Sequence, residues 1–389
     1  MNARRPGRHF LQIPGPTNVP DRVLHAIALP TLDHRGPEFA ALALTVQAGL
    51  RRVFQTSGPV VTYPASGTGA WEAALVNTLN PGDRVLMVRT GQFATLWHAM
   101  AQRLGLDVVL LETDWRHGAD PVAIGAVLAD DREGRIRAVC VVHNETSTGC
   151  VTDIPAVRAA IDAARHPALL LVDTISSLAS IPYRHEAWGV DVTVAGSQKG
   201  LMLPPGLSFN AIGPKALAAS ERARLPRSFW DWGPMLAGME RGNFPYTPAT
   251  NLLRGLAEAL AMLQEEGLEA VFARHARHGA ATRAAVEAWG LEVQCADPAA
   301  YSGTLTGVQL PEGQSADALR ALILARFDMS LGAGLGRLAD RMFRIGHLGD
   351  INDLTLLGTL AGVEMGLALA QVPHRPGGVN AAMAVLAEA

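Results

Sequence analysis

One lysine lies in a segment suited to covalent chemistry. Lys199 belongs to the sequence Gly-Ser-Gln-Lys-Gly at positions 196–200. Glycines and small polar residues leave its side chain free to reach into a cleft, where the amine can form a Schiff base with an aldehyde cofactor. The alternative is a surface lysine in an ordinary loop, and this motif alone does not decide between the two.

A carboxylate upstream of the lysine occupies a typical ligand-binding position. Asp173 directly follows the apolar run Leu-Leu-Leu-Val at 169–172. An acid at the end of such a strand lies at the carboxyl edge of the sheet, where open α/β folds bind ligands. There it could keep a pyridinium nitrogen protonated, which makes the ring an electron sink. Alone it is better explained as a helix N-cap, but together with Lys199 it favours a cofactor site.

The sequence Ser-Gly-Thr-Gly at 66–69 opens a helical stretch that runs to about residue 79. Free backbone N–H groups and the helix dipole make such a turn a phosphate cradle, which would involve Ser66, Gly67 and Thr68. It matches neither a Walker loop nor a dinucleotide-binding fingerprint. Taken alone, it is better explained as a simple capped helix start.

Two further segments could contact a flat, phosphorylated ring. Polar residues of the sequence His-Asn-Glu-Thr at 143–146, which ends at Thr146, could bond a phenolic oxygen. Phe93 follows another strand and could stack on the ring, although ordinary core packing explains it equally well.

Short β-branched runs and amphipathic stretches alternate in the first part of the chain. The patterns predict strands at 85–88, 107–111, 138–143, 168–172, 190–195 and 207–212, and helices at 93–104 and 154–164. This alternation indicates an α/β domain around a mainly parallel sheet. Residues 196–206 leave no room for a crossover helix, so the last two strands could be antiparallel and the sheet mixed.

The pattern changes after Pro248. Helices are predicted at 251–266, 267–289 and 316–327, with strands at 305–310 and 342–345. We therefore predict an N-terminal arm over 1–20, a large domain over 21–259 and a smaller α+β domain over 260–389. Residues 242–248 would form an irregular crossing between the two domains.

Composition excludes several classes of protein. Hydrophobic residues make up 49% and charged residues 18% of 389, and the net charge is -3, so we expect a globular protein without a nucleic-acid partner. The cysteines, Cys140, Cys150 and Cys295, show no CxxC spacing, so neither a disulfide framework nor a metal site is predicted. Without a secretory h-region or a membrane-length apolar run, a cytoplasmic protein away from membranes is expected.

With these motifs in this order, the chain resembles the class V aminotransferases of fold type I, and within them those that pass an amino group to glyoxylate. The resemblance extends over about residues 10 to 385. Five more segments carry it: Pro-Gly-Pro-Thr-Asn at 14–18, Asp-His-Arg at 33–35, Phe-Pro-Tyr-Thr-Pro at 244–248, Leu-Gly-Ala-Gly-Leu at 331–335 and Phe-Arg-Ile-Gly-His at 343–347. It implies a mainly parallel, mixed seven-stranded sheet, pyridoxal phosphate as cofactor, and a homodimer or larger assembly with active sites between subunits.

The resemblance also implies individual roles. Lys199 would form the Schiff base and carry protons, Asp173 would pair with the pyridine nitrogen, and Arg344 would bind the substrate α-carboxylate through its planar fork. The remaining cofactor contacts would be Phe93 on the ring, Thr146 on the ring oxygen, Ser66, Gly67, Thr68 and Gln198 on the phosphate, and Tyr246 and Thr247 reaching the phosphate from the neighbouring subunit.

The amino donor is ranked by resemblance, with serine first, aspartate second and ureidoglycine third. Aspartate would need a further cation for its second carboxylate, for which Arg35 and His34 are candidates; a structural ion pair explains Arg35 equally well. Cysteine desulfuration is a further alternative, but it needs a mobile cysteine, and Cys295 lacks a Gly/Ser-rich loop. A non-catalytic relative would be expected to lose Lys199 or Asp173, and both are present.

Overall fold

The computed structural model describes residues 6–388, which form three β-sheets surrounded by helices. The strands are β1 (Phe10–Gln12), β2 (Val60–Tyr63), β3 (Arg84–Arg89), β4 (Asp107–Glu112), β5 (Ile136–Val142), β6 (Asn144–Glu145), β7 (Cys150–Val151), β8 (Leu169–Asp173), β9 (Val192–Gly196), β10 (Ser208–Ile212), β11 (Glu292–Val293), β12 (Leu305–Gln309), β13 (Met329–Ala333) and β14 (Met342–Gly346).

The helices are α1 (Asp21–Ile27), α2 (Pro37–Phe54), α3 (Gly67–Thr78), α4 (Gln92–Arg103), α5 (Pro121–Asp130), α6 (Ile154–Ala163), α7 (Pro214–Ser220), α8 (Trp232–Met239), α9 (Thr250–Glu266), α10 (Leu268–Trp289), α11 (Ala316–Phe327), α12 (Asp353–Leu369) and α13 (Gly378–Ala387). Those predicted at 93–104, 154–164, 251–266, 267–289 and 316–327 are confirmed to within about a residue at each end. Residues 242–248 contain neither helix nor strand, as expected.

The large sheet has seven strands in the order β2-β10-β9-β8-β5-β3-β4. Strand β10 runs antiparallel to both of its neighbours, while β9, β8, β5, β3 and β4 are mutually parallel. The predicted mixed, mainly parallel α/β sheet is therefore confirmed. The strand β2, a run of Val-Val-Thr-Tyr at the sheet edge, adds to the six strands predicted from their patterns.

The central strands are covered on both faces. Every residue of β8, β9 and β10 is buried, as expected for strands with helices on both sides. One face packs against a core that includes α2, α6 and α9, and the other against a core that includes α3, α4 and α8. The carboxyl ends of these strands are therefore held by a rigid three-layer unit.

A second sheet, in the order β1-β13-β14-β12-β11, packs against helices α10 to α13. Its strand β1 comes from the N-terminus and pairs in parallel with β13. This arrangement confirms a smaller α+β part near the C-terminus. Helix α9 packs on α1 and α2, which belong to the part of the chain around the seven-stranded sheet. The domain boundaries at 20/21 and 259/260 stay predictions.

Among residues 6–388, no helix has both the length and the apolar character needed to cross a bilayer.

Candidate active site

A cavity of about 240 Å³ lies where β5, β8 and β9 end. It brings together most of the residues singled out in the sequence. The cavity lining includes four residues that were predicted to hold a phosphate, namely Ser66, Gly67, Thr68 and Gln198. It also includes four residues that were predicted to contact or react with the cofactor ring, namely Phe93, Thr146, Asp173 and Lys199.

Lys199 is held in a tight turn after β9. Its backbone oxygen accepts hydrogen bonds from Met202 N at 2.9 Å and from Thr17 Oγ1 at 3.3 Å. The residue as a whole is 6% exposed, and Nζ donates to the carbonyl oxygen of Pro14. Burial, aided by the charge of Arg344, lowers the pKa of Lys199 to about 7, so its amine is available as a base near neutral pH.

Asp173 is the last residue of β8 and is buried. Its Oδ2 accepts a hydrogen bond from the indole N–H of Trp71 at 2.9 Å, and its Oδ1 accepts one from the backbone N–H of Ile175 at 2.7 Å. Burial raises the pKa of Asp173 to about 7, while these two donors oppose the rise. A cationic ring nitrogen in the cavity would favour the ionised carboxylate further.

The phosphate-binding prediction falls on the start of helix α3. Ser66 is its N-cap residue, but no side chain caps this end within the described chain. Gly67 packs so tightly that a Cβ would lie 2.2 Å from Cδ1 of Ile175. Gln198 also lines the cavity, and its buried Oε1 has no hydrogen-bond partner among the described residues. The uncapped start of helix α3 suits an anion, to which the side chain of Gln198 could donate only from its Nε2.

Phe93 and Thr146 are positioned through the segment that contains Glu145. The buried carboxylate of Glu145 accepts hydrogen bonds from the backbone N–H groups of Phe93 at 3.3 Å and Ala94 at 3.1 Å. It therefore fixes the first turn of helix α4, where Phe93 lies. The hydroxyl groups of Thr146 and Ser176 share a hydrogen bond, so Thr146 also has a fixed position.

Arg344 lies on β14, outside the cavity lining but close to it. Its guanidinium donates from Nε to Ala333 O and from Nη1 to Thr146 O, each at 2.7 Å. Burial lowers the pKa of Arg344 to about 10, so it remains a cation at neutral pH. These bonds place a fixed positive charge beside the residue predicted to hold the ring oxygen.

Four predicted residues lie away from the cavity. Thr247 and Arg35 are exposed, and Tyr246 and His34 are partly buried, none of them in its lining. Tyr246 stacks on Phe229 with 4.4 Å between ring centroids, and its hydroxyl is buried without a partner in the part of the chain described. Their roles therefore stay predictions.

The cysteines give no support to desulfuration. Cys295 is 2% exposed, and its thiol donates to the backbone oxygens of Asp297 and Ala300 at 3.5 Å. Cys140 and Cys150 are buried as well. No cysteine of the described chain lines the cavity, so a mobile nucleophilic thiol is not placed at this site.

Three residues that contribute to the site had no role assigned from the sequence. Trp71 lines the cavity and binds Asp173, Glu145 fixes the start of α4, and Gly15 passes over Lys199. A Cβ on Gly15 would lie 2.3 Å from Cδ of Lys199. Gly15 and Glu145 fall within motifs noted above and Trp71 in the helical stretch that follows residues 66–69, but their contacts join segments far apart in the chain.

Comparison with known proteins agrees with this geometry. The family model for class V aminotransferases matches residues 9–334. The chain is 50% identical to the serine–glyoxylate aminotransferase of Methylorubrum extorquens, over 99% of this chain and 98% of that protein. It is 46% identical to the L-aspartate–glyoxylate aminotransferase of Paracoccus denitrificans, over 95% of this chain and 94% of that protein.

A solved structure shares the whole architecture. The pyridoxamine–pyruvate aminotransferase of Mesorhizobium loti superposes with a TM-score of 0.94 and 29% sequence identity, covering 100% of both chains. The predicted fold type I architecture is therefore confirmed.

Proposed function

The chain belongs to the class V aminotransferases, and from this premise we propose that it transfers the amino group of L-serine to glyoxylate. The products are hydroxypyruvate and glycine. The observation that carries the choice of donor is the 50% identity to the serine–glyoxylate aminotransferase of Methylorubrum extorquens over 99% of this chain, and the charge of the cavity lining is compatible with it. Among residues 6–388, Lys199 is the only basic residue that lines the cavity. A serine side chain needs a single polar contact, whereas a second carboxylate would need another cation.

Pyridoxal phosphate is the cofactor of this family and so of this enzyme, and the residues present fit it. The cavity offers an amine at Lys199, a carboxylate at Asp173, an aromatic ring at Phe93 and a polar lining at Ser66 and Gln198. When bound, the cofactor supplies an electron sink and a carrier for the amino group.

Three residues of the protein, Asp173, Lys199 and Arg344, would carry out the remaining steps of binding and proton transfer. Asp173 would keep the ring nitrogen protonated, since a buried carboxylate and a pyridinium stabilise each other. The Nζ of Lys199 would take the proton from the substrate Cα and deliver it to the C4′ carbon of the cofactor, and its lowered pKa favours this role as a base. Arg344 would bind the α-carboxylate, because its backbone hydrogen bonds leave Nη2 available for a charged pair.

L-Aspartate is the second candidate donor. It is supported by the 46% identity to the Paracoccus enzyme and by the cationic side chain of Arg35 with His34 beside it in the loop before α2. For this reading, the loop would have to bring Arg35 to the substrate.

We also propose that a second copy of the chain completes the site. Supporting observations are the buried, unpartnered hydroxyl of Tyr246 and the exposed Thr247 next to it. In such a dimer, these two residues would bind the cofactor phosphate of the other subunit.

The experiment that tests the donor compares kcat/KM for L-serine and L-aspartate, with glyoxylate as acceptor. The keto acid products are separated by chromatography. We expect serine to be preferred, Lys199→Ala to abolish turnover, and Arg35→Ala to leave the serine reaction unchanged. Preference for aspartate, with loss of that preference in Arg35→Ala, would establish the second candidate instead.

A further inference from the structure

Trp71 and Asp173 both line the cavity, and the indole of Trp71 is hydrogen-bonded to the carboxylate of Asp173. Trp71 lies on α3, is 2% exposed and lines the cavity. Its N–H donates to Asp173 Oδ2 at 2.9 Å. Its ring stacks on Trp97, with 5.9 Å between centroids and 13° between planes. The stack fixes the direction in which the indole N–H points.

Asp173 has few partners that favour its charge. Apart from Trp71, its carboxylate accepts a hydrogen bond from the backbone of Ile175. Glu145 on β6 repels the charge, and Lys199 after β9 attracts it. Two other groups, His143 and Tyr183, stay uncharged near neutral pH, because burial lowers the pKa of His143 to about 3 and raises that of Tyr183. The indole is therefore a large share of what stabilises an ionised Asp173.

We propose that Trp71 is a positioning residue: its indole N–H orients the Asp173 carboxylate toward the cavity and favours the ionised form that pairs with the cofactor ring nitrogen. The proposal depends on the cofactor and on the geometry of α3 and β8, and it is independent of which amino acid is the donor.

The chain contains a matched control for this hydrogen bond. Trp97 belongs to the same stack and is 1% exposed, but its indole N–H has no partner among the described residues. Trp71→Phe and Trp97→Phe therefore remove the same chemical groups from the same stack, and only Trp71→Phe removes a donor from Asp173.

The test measures the Kd of pyridoxal phosphate for the apoproteins of the wild type and both variants from pH 6 to 9, without substrate. A hydrogen bond to a charged group is worth enough that Trp71→Phe should raise Kd roughly ten-fold or more at pH 6. At pH 9, where Asp173 is ionised in either protein, the increase should fall below about three-fold. Trp97→Phe should change Kd only by a small factor, and this factor should be the same at every pH.

An effect of Trp71→Phe that does not vary with pH, or that Trp97→Phe reproduces, would overturn the proposal and leave both residues as packing. If Trp71→Phe does not fold, wild-type apoprotein labelled with ¹⁵N at the tryptophan indoles gives a second measurement. One indole signal should move with a midpoint near pH 7, following the titration of Asp173, and should not move in Asp173→Asn. Absence of such a signal would equally reject the hydrogen bond.

Discussion

Replacing Glu145 by glutamine should loosen the start of helix α4 and the ring of Phe93. The buried carboxylate accepts hydrogen bonds from Phe93 N, Ala94 N, and both the backbone N–H and hydroxyl of Ser147. In Glu145→Gln, an amide NH₂ must replace one of the two oxygens, so at least one buried donor loses its acceptor and faces another donor.

The expected loss can be worked out from these contacts. A hydrogen bond to a charged group contributes about 1.5–3 kcal/mol, and a negative charge at a helix start adds about 0.5–1 kcal/mol. The free energy of unfolding should therefore fall by about 2–4 kcal/mol. Because Phe93 is less well fixed, pyridoxal phosphate should also bind more weakly, by up to roughly ten-fold if the ring contact is largely lost.

The assay is urea denaturation of the apoproteins, followed by titration with pyridoxal phosphate. The matched control is Glu133→Gln, whose side chain is 75% exposed and whose replacement should change stability by less than about 0.5 kcal/mol. A Glu145→Gln protein as stable as this control would refute the view that the carboxylate holds α4 in place.

Two further substitutions test the site from other directions. Burial raises the pKa of Asp173 to about 7, so the folded apoprotein keeps a proton that the unfolded chain releases above about pH 4, and stability falls between these values. Relative to the wild type, Asp173→Asn should therefore gain up to about 4 kcal/mol of stability between pH 4 and pH 8, offset by a loss at every pH because the new amide NH₂ faces the indole N–H of Trp71 or the backbone N–H of Ile175, and cofactor binding should weaken; a stability difference from the wild type that stays constant between pH 4 and pH 8 would contradict this. A Cβ in Gly200→Ala would lie 2.2 Å from the backbone oxygen of Leu178, so thermal denaturation should show a loss of about 1–3 kcal/mol. Gly125→Ala, whose Cβ would meet only ordinary contacts at 3.5 Å, is the control and should be neutral or stabilising by up to about 1 kcal/mol, because alanine is favoured over glycine inside helix α5.

Much of the site was predictable because its residues follow strand ends. Asp173 comes directly after a hydrophobic run and Lys199 shortly after another, and parallel strands bring their carboxyl ends to one edge, whereas the loop at 66–69 was marked only by its small residues at a helix start. Local pattern therefore implied spatial proximity. The antiparallel direction of β10 followed in the same way from the short link that precedes it.

What could not be predicted depends on contacts between distant segments. The strand β13 reads Met-Ser-Leu-Gly-Ala and contains no β-branched residue, so composition did not mark it as a strand. A tryptophan in a helix is usually core, and only the packing of α3 on the sheet turns the indole of Trp71 toward Asp173. Likewise, Glu145 meets α4 only after β5 and β3 have paired.

The pairing of β1 with β13 has a consequence for the synthesis of the chain. Residues next to β1 complete the cavity, since Pro14 accepts a hydrogen bond from Lys199 and Gly15 lines the wall. Yet β1 gains its partner only when Met329–Ala333 has left the ribosome, which at ordinary translation speeds is roughly 15–60 s after β1 itself is made. Until then, the large sheet can form but the cofactor pocket stays open on one side. We therefore expect the cofactor to bind only at the end of synthesis. A truncated chain that lacks the second sheet would not gain the stability that the bound cofactor provides.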